Sequence, residues 1–186
     1  MNRRAFAALV AGGILTACAP MDDPNPIGRE ARARMAFSEI EVVTTGAQFE
    51  SRAAAERSSQ LGTDLRAALR QEFSDRLRPD GVRMVVEVSR LNLAGATRTA
   101  FGSDQSRLQG TARVLDGAGR LLGAYPVQIE AGGAAETRTG ALLRAGVTST
   151  DRFYRSLVGD FAETTREQIL GRESLGQRAV RRVTGG

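Results

Sequence analysis

The chain has no lysine, no histidine and no tryptophan, and it has one cysteine in 186 residues. Without histidine or a second thiol, the common nucleophile–base pairs, disulfides and zinc clusters are unavailable. Aromatic residues make up 5% of the chain, so a core has to be built from Leu, Val, Ile, Ala and a few Phe. No apolar run approaches the roughly 20 residues that a bilayer-spanning helix needs. Walker-type and dinucleotide glycine motifs are missing. "GAGRLLGA" has the glycines but lacks the strand–turn–helix context. No cofactor and no metal is expected.

What is present begins at the N-terminus. "MNRRAFAALVAGGIL" opens with Arg3 and Arg4 and then runs apolar from Ala5 to Leu15. This is the charged n-region and short h-region of an export signal. The single cysteine, Cys18, follows at once. Leu15-Thr16-Ala17-Cys18 resembles the lipobox of bacterial lipoproteins, in which small residues admit a peptidase and the thiol is alkylated with diacylglycerol. The resemblance implies removal of residues 1–17 and lipidation of Cys18, with palmitate-type acyl chains. One chain binds a membrane only marginally, whereas two or three give lasting anchorage. Ala19, where aspartate tends to mark the inner membrane, favours the outer membrane facing the periplasm. Arg3-Arg4 also resembles a twin-arginine export signal but departs from it at Ala7. Ordinary n-region charge accounts for the pair.

All 26 basic residues are arginine, against 21 acidic ones. Loss of Arg3 and Arg4 with the signal leaves a mature side-chain charge of +3, with the signs interspersed. That is no nucleic-acid footprint. Pro20, Pro24 and Pro26 fall within residues 18–36, which therefore read as the lipidated N-terminus and a proline-containing tether. The sequence predicts a single α+β domain over 37–171. Residues 172–186 are basic, with Arg172, Arg178, Arg181 and Arg182 against Glu173, and read as a disordered end or a weak contact for an acidic surface.

Within the domain, "FSEIEVVTT" alternates around Ile40 and Val42 as a strand. Leu61, Leu65, Leu69, Phe73 and Leu77 form a helical stripe that Pro79 and Gly81 stop. "VRMVVEVSRLNL" is a strand with Met84, Val86 and Val88 on one face and Leu91 and Leu93 on the other, so a bulge or an end is expected near Ser89. "QSRLQGTARVL" and "RLLGAYPVQIE" flank the turn Asp116–Gly119 as a hairpin with one wet face, in which Leu121 aligns with Tyr125, Val127 and Ile129. Pro126 puts the second arm at a sheet edge or on a bulge. Phe153, Leu157, Phe161, Thr165 and Ile169 mark a last helix, capped near Ser149–Asp151 and ended by Gly171. The order is β-α-β-β-β-α. The expected fold is a mainly antiparallel sheet of about four strands with two helices on one face.

Candidate chemistry is sparse. Asp64, Glu72 and Asp75 on the first helix, and Asp160, Glu163 and Glu167 on the last, read as solvated charge. Two long glycine-rich connections stand out. One holds Phe101 and the other holds Leu142 and Leu143, and these three, with Arg178, Arg181 and Arg182, are the candidate partner-binding residues. The element order resembles that of small envelope lipoproteins auxiliary to ABC-type lipid transporters. That resemblance implies an accessory role without a cofactor. The expected function is therefore a non-catalytic envelope lipoprotein, held to the membrane by lipid, that docks a protein partner. A carrier or sensor of a lipid or glycan ligand is the alternative, and a cofactor-free glycan hydrolase comes last.

Overall fold

The computed structural model describes residues 25–94, 105–131 and 150–172. Its elements in chain order are α1 (Arg29–Arg34), β1 (Phe37–Val43), β2 (Gln48–Phe49), α2 (Arg52–Glu56), α3 (Ser58–Glu72), a 3-10 turn (Ser74–Arg76), β3 (Val82–Asn92), β4 (Ser106–Leu115), β5 (Leu121–Ala131) and α4 (Thr150–Leu170). The fold is α+β, with one open five-stranded sheet in the order β1-β3-β4-β5 and β2 also pairing with β3. Helices α3 and α4 cover one face. The other face is solvated.

The sheet is antiparallel from β3 to β5, as the hairpin pattern requires. Strands β1 and β2 instead run parallel to β3. Helix α3 lies between β1 and β3 in the chain and carries it back to the starting end, so β3 must point the same way as β1.

The apolar stripes meet as their spacing predicts. Leu61, Leu65 and Leu69 of α3, Met84 and Val86 of β3, Leu108 and Val114 of β4, and Leu157, Phe161 and Ile169 of α4 are each fully buried. Gly110 of β4 is the position at which the α4 ring enters. A Cβ there would lie 3.2 Å from the Phe161 ring and 2.7 Å from the Glu87 carbonyl oxygen. Phe73 packs edge-to-face on Phe37, with centroids 4.9 Å apart.

Several expectations are corrected. Ser89 is indeed a bulge: Val88 pairs with Gly110 and Arg90 with Gln109. The extra residue resets the alternation, so Leu91 and Leu93 return to the buried face rather than the wet one. Helix α3 ends at Glu72, well before Pro79. Leu77 lies beyond the 3-10 turn in extended backbone and bridges Phe37. Leu121 shares its parity with Tyr125, but the register shifts between Val114–Gly123 and Leu115–Leu121, so Leu121 pairs with Leu115 on the face away from buried Val114 and is 56% exposed. Pro126 does sit on β5, the sheet's edge strand, opposite Thr111.

The segment expected to be tether is ordered domain from Asn25 onward. Ile27, Arg32 and Met35 are buried and α1 is helical. Pro26 only punctuates the chain here, because Asn25 supplies the hydrogen bonds that hold it. Its Nδ2 donates to the Gln168 carbonyl (2.6 Å) and the Ile169 carbonyl (3.3 Å) of α4. Its Oδ1 accepts from the Ile27 backbone N–H (3.0 Å) and the Tyr125 hydroxyl (2.8 Å) of β5. Residues 25–35 thus form a strap across the C-terminal end of α4 and the start of β5.

Candidate functional site

Strand register divides the domain into two ends. The end of β3 pairs with the beginning of β4 (Asn92 with Arg107), and Ser106 pairs with Ala131 at the end of β5. The roots of both glycine-rich connections, at 94 and 105 and at 131 and 150, therefore gather at one end. Helix α4 starts at this end as well, because Asp151 forms an ion pair with Arg57, which precedes α3.

Small hydroxyls fix where the chain leaves the sheet. Ser51 caps α2 by accepting the Ala54 N–H at 3.2 Å. The same oxygen accepts the Leu93 N–H at 3.1 Å. Buried Ser106 accepts the Ala94 N–H at 3.0 Å, and the Asn92 side-chain amide donates to the Gln105 carbonyl at 2.9 Å. At the root of α4, the Arg57 guanidinium lies 5.3 Å from the Tyr154 ring centroid. The Tyr154 hydroxyl donates to Asp64 at 2.7 Å. Burial and that carboxylate push the tyrosine's ionisation far above its ordinary range. These contacts make the loop-bearing end a rigid frame.

The candidate partner-binding residues Phe101, Leu142 and Leu143 lie outside the described residues, as do Cys18, Arg178, Arg181 and Arg182. The topology nevertheless separates them. The connections that carry Phe101, Leu142 and Leu143 are rooted at the loop end. The chain that carries the tail arginines leaves from Arg172, beside the strap, at the opposite end. Sequence reasoning missed the framing residues Ser51, Ser106, Asn25 and Tyr125. Asn25-Pro26 is a turn-initiating pair, and it was the only local signal.

Two carboxylates expected to be solvated are structural instead. Asp64 accepts the Tyr154 hydroxyl. Asp75 receives both Nη1 (2.8 Å) and Nη2 (2.9 Å) of Arg166, whose side chain is 3% exposed and lies over the Phe73 ring. Partial burial opposes the Asp75 charge, but the Arg166 fork outweighs it and holds the carboxyl below its ordinary value. Asp75 and Asp80 line one groove with Arg34, Arg76 and Arg78. A second groove, of about 490 Å³, lies beneath the strap between Asn25, Tyr125 and Gln168. Both grooves lie outside the sheet–helix interface, whose central side chains are fully buried. Among the described residues no helix is long and apolar enough to cross a membrane.

No protein-family model matches the chain, and no curated protein matches it. Among solved structures it is similar to a candidate lipoprotein from Caulobacter crescentus CB15, at 13% identity and a TM-score of 0.41, over 76% of this chain and 92% of that one. It is also similar to the dodecamer of PelC from Paraburkholderia phytofirmans, at 10% identity and a TM-score of 0.33, over 75% and 91% of the two chains. At these values neither likeness bears on function.

Proposed function

We propose that the protein is a lipid-anchored, non-catalytic envelope protein whose loop-bearing end docks a protein partner on the periplasmic side of the outer membrane. The gathering of both glycine-rich connections on one hydrogen-bonded frame, opposite the strap that follows the lipobox, is the observation that carries this reading. A rigid scaffold that displays long loops is a common design for recognition. Among the described residues the central side chains between sheet and helices are fully buried, which favours docking over carriage of an apolar ligand, because a carrier needs a cavity.

The test is photo-crosslinking in the native envelope from probes replacing Phe101, Leu142 or Ala118. Probes at Phe101 and Leu142 should capture one and the same envelope protein, and the hairpin probe at Ala118 should not. Capture of lipid or glycan from the two loop positions, or of the partner from Ala118 alone, would overturn the docking assignment.

A further inference from the structure

We infer that the strap end of the domain rests on the bilayer surface, with Leu121 and Leu122 entering the head-group boundary as a second membrane contact. This rests on the lipid-anchored reading above. Seven peptide steps separate Cys18 from Asn25. Whatever their conformation, they span at most about 25 Å. Asn25 is bonded to the last turn of α4 at Gln168 and Ile169. The first turn of that helix, at Thr150, lies roughly 29 Å away at 1.5 Å per residue. The tether therefore holds the strap end within about 25 Å of the lipid surface, and in an upright domain the loop end stands roughly 29 Å farther out.

That end presents apolar surface. Leu121 and Leu122 are 56% and 37% exposed, the large hydrophobic side chains that stand out to solvent among the described residues. They begin β5, directly after the Asp116–Gly119 turn. The next residue, Gly123, is against the strap: a Cβ there would lie 3.1 Å from the Pro26 ring. Arg120, the residue before the two leucines, has a side chain 81% exposed, and Arg172, 89% exposed, ends the described chain just after the last helix. The segment Arg172–Gly186 leaves from the same end with four arginines and one glutamate. Exposed leucines beside an arginine, on the end of the domain whose strap begins seven residues after Cys18, match the chemistry of an interfacial contact with anionic head groups.

The mature lipidated protein is reconstituted in phosphatidylethanolamine–phosphatidylglycerol vesicles that carry a nickel chelate on some head groups. Because lipid occupies the Cys18 sulfur, Ala118→Cys or Thr45→Cys gives a single site for a nitroxide. Position 118 is on the hairpin turn and 45 follows β1 towards the loop end. Strong relaxation at 118 and weak relaxation at 45 is the expected result. Leu121→Ser with Leu122→Ser should reduce occupancy of the bound orientation about tenfold, from the apolar area no longer buried, and relaxation at 118 should fall with it. Equal relaxation at both positions, an unchanged signal in the double variant, or a leucine-dependent dimer that forms without vesicles would overturn the inference alone. A chain that leaves the vesicles and takes label at Cys18 would overturn the anchored reading and this inference with it.

Discussion

Replacing Asn25 with alanine removes the group that ties the strap to both α4 and β5. Four hydrogen bonds are lost: two donated to the carbonyls of Gln168 and Ile169, and two accepted from Ile27 and Tyr125. Each contributes about 1 kcal/mol net where water can take over. The helix carbonyls are partly accessible and recover some of this. The Tyr125 side chain is 5% exposed, and a stranded hydroxyl at such a site costs about 1–3 kcal/mol. The sum is about 3 kcal/mol. For a domain of this size that lowers Tm by roughly 10 °C. Asn25→Asp sharpens the test, since it keeps the acceptors for Ile27 and Tyr125. Its carboxylate would, however, face two carbonyls at the negative pole of α4, so the aspartate variant should be less stable than the alanine variant at neutral pH. Circular dichroism melts give the order, and hydrogen exchange at the Arg32 and Met35 amides, bonded to Gly28 and Arg32, reports the strap itself. A wild-type Tm with slow exchange at those amides would show that the strap stands without Asn25, and an aspartate variant more stable than alanine would show that the two donated bonds are not made.

Gly110→Ala should destabilise the domain by about 2 kcal/mol, because the new methyl meets a backbone oxygen at 2.7 Å that cannot move aside; Phe161→Leu in the same chain should recover part of the loss, and an unchanged melt in the single variant would show that β4 has room there. The Asp75 carboxyl is held below its ordinary value in the folded state, so its stabilising contribution is present above the unfolded value of about 4 and is lost as pH falls through the folded one. Asp75→Asn should therefore lower stability at pH 7 and flatten the pH dependence below about 4, with chemical denaturation across that range as the measurement; the same acid slope in both proteins would refute the pairing.

Much of the packing was legible because it is local. The four-residue ladder of α3 and the α4 stripe from Phe153 to Ile169 state their own buried faces, and the phase change at Ser89 announced the bulge. Three features were not legible, for one reason: their causes lie far away in the chain. Asn25 reads like any residue of a proline-rich linker until its distant partners Tyr125, Gln168 and Ile169 are known. The parallel setting of β1 depends on the crossover through α3, not on the composition of "FSEIEVV". Asp64 and Asp75 carry the pattern of solvated helix charge, and only the docking of α4 brings Tyr154 and Arg166 to them. Of the candidate site, the loop roots could be located only through strand register, because Leu93, Ala94 and Ser106 carry no motif.

The strap also decides how the molecule bears load. A partner held at the loop end and an anchor beyond Asn25 would pull from opposite ends of the same strands. Such a pull runs along β3, β4 and β5 and along α4, parallel to their axes. Shear of this kind stretches many inter-strand hydrogen bonds together, whereas a pull across the sheet would open them one at a time. Because Asn25 is bonded to both α4 and β5, tension entering from the N-terminus is shared between the helix layer and the sheet layer before either can slide.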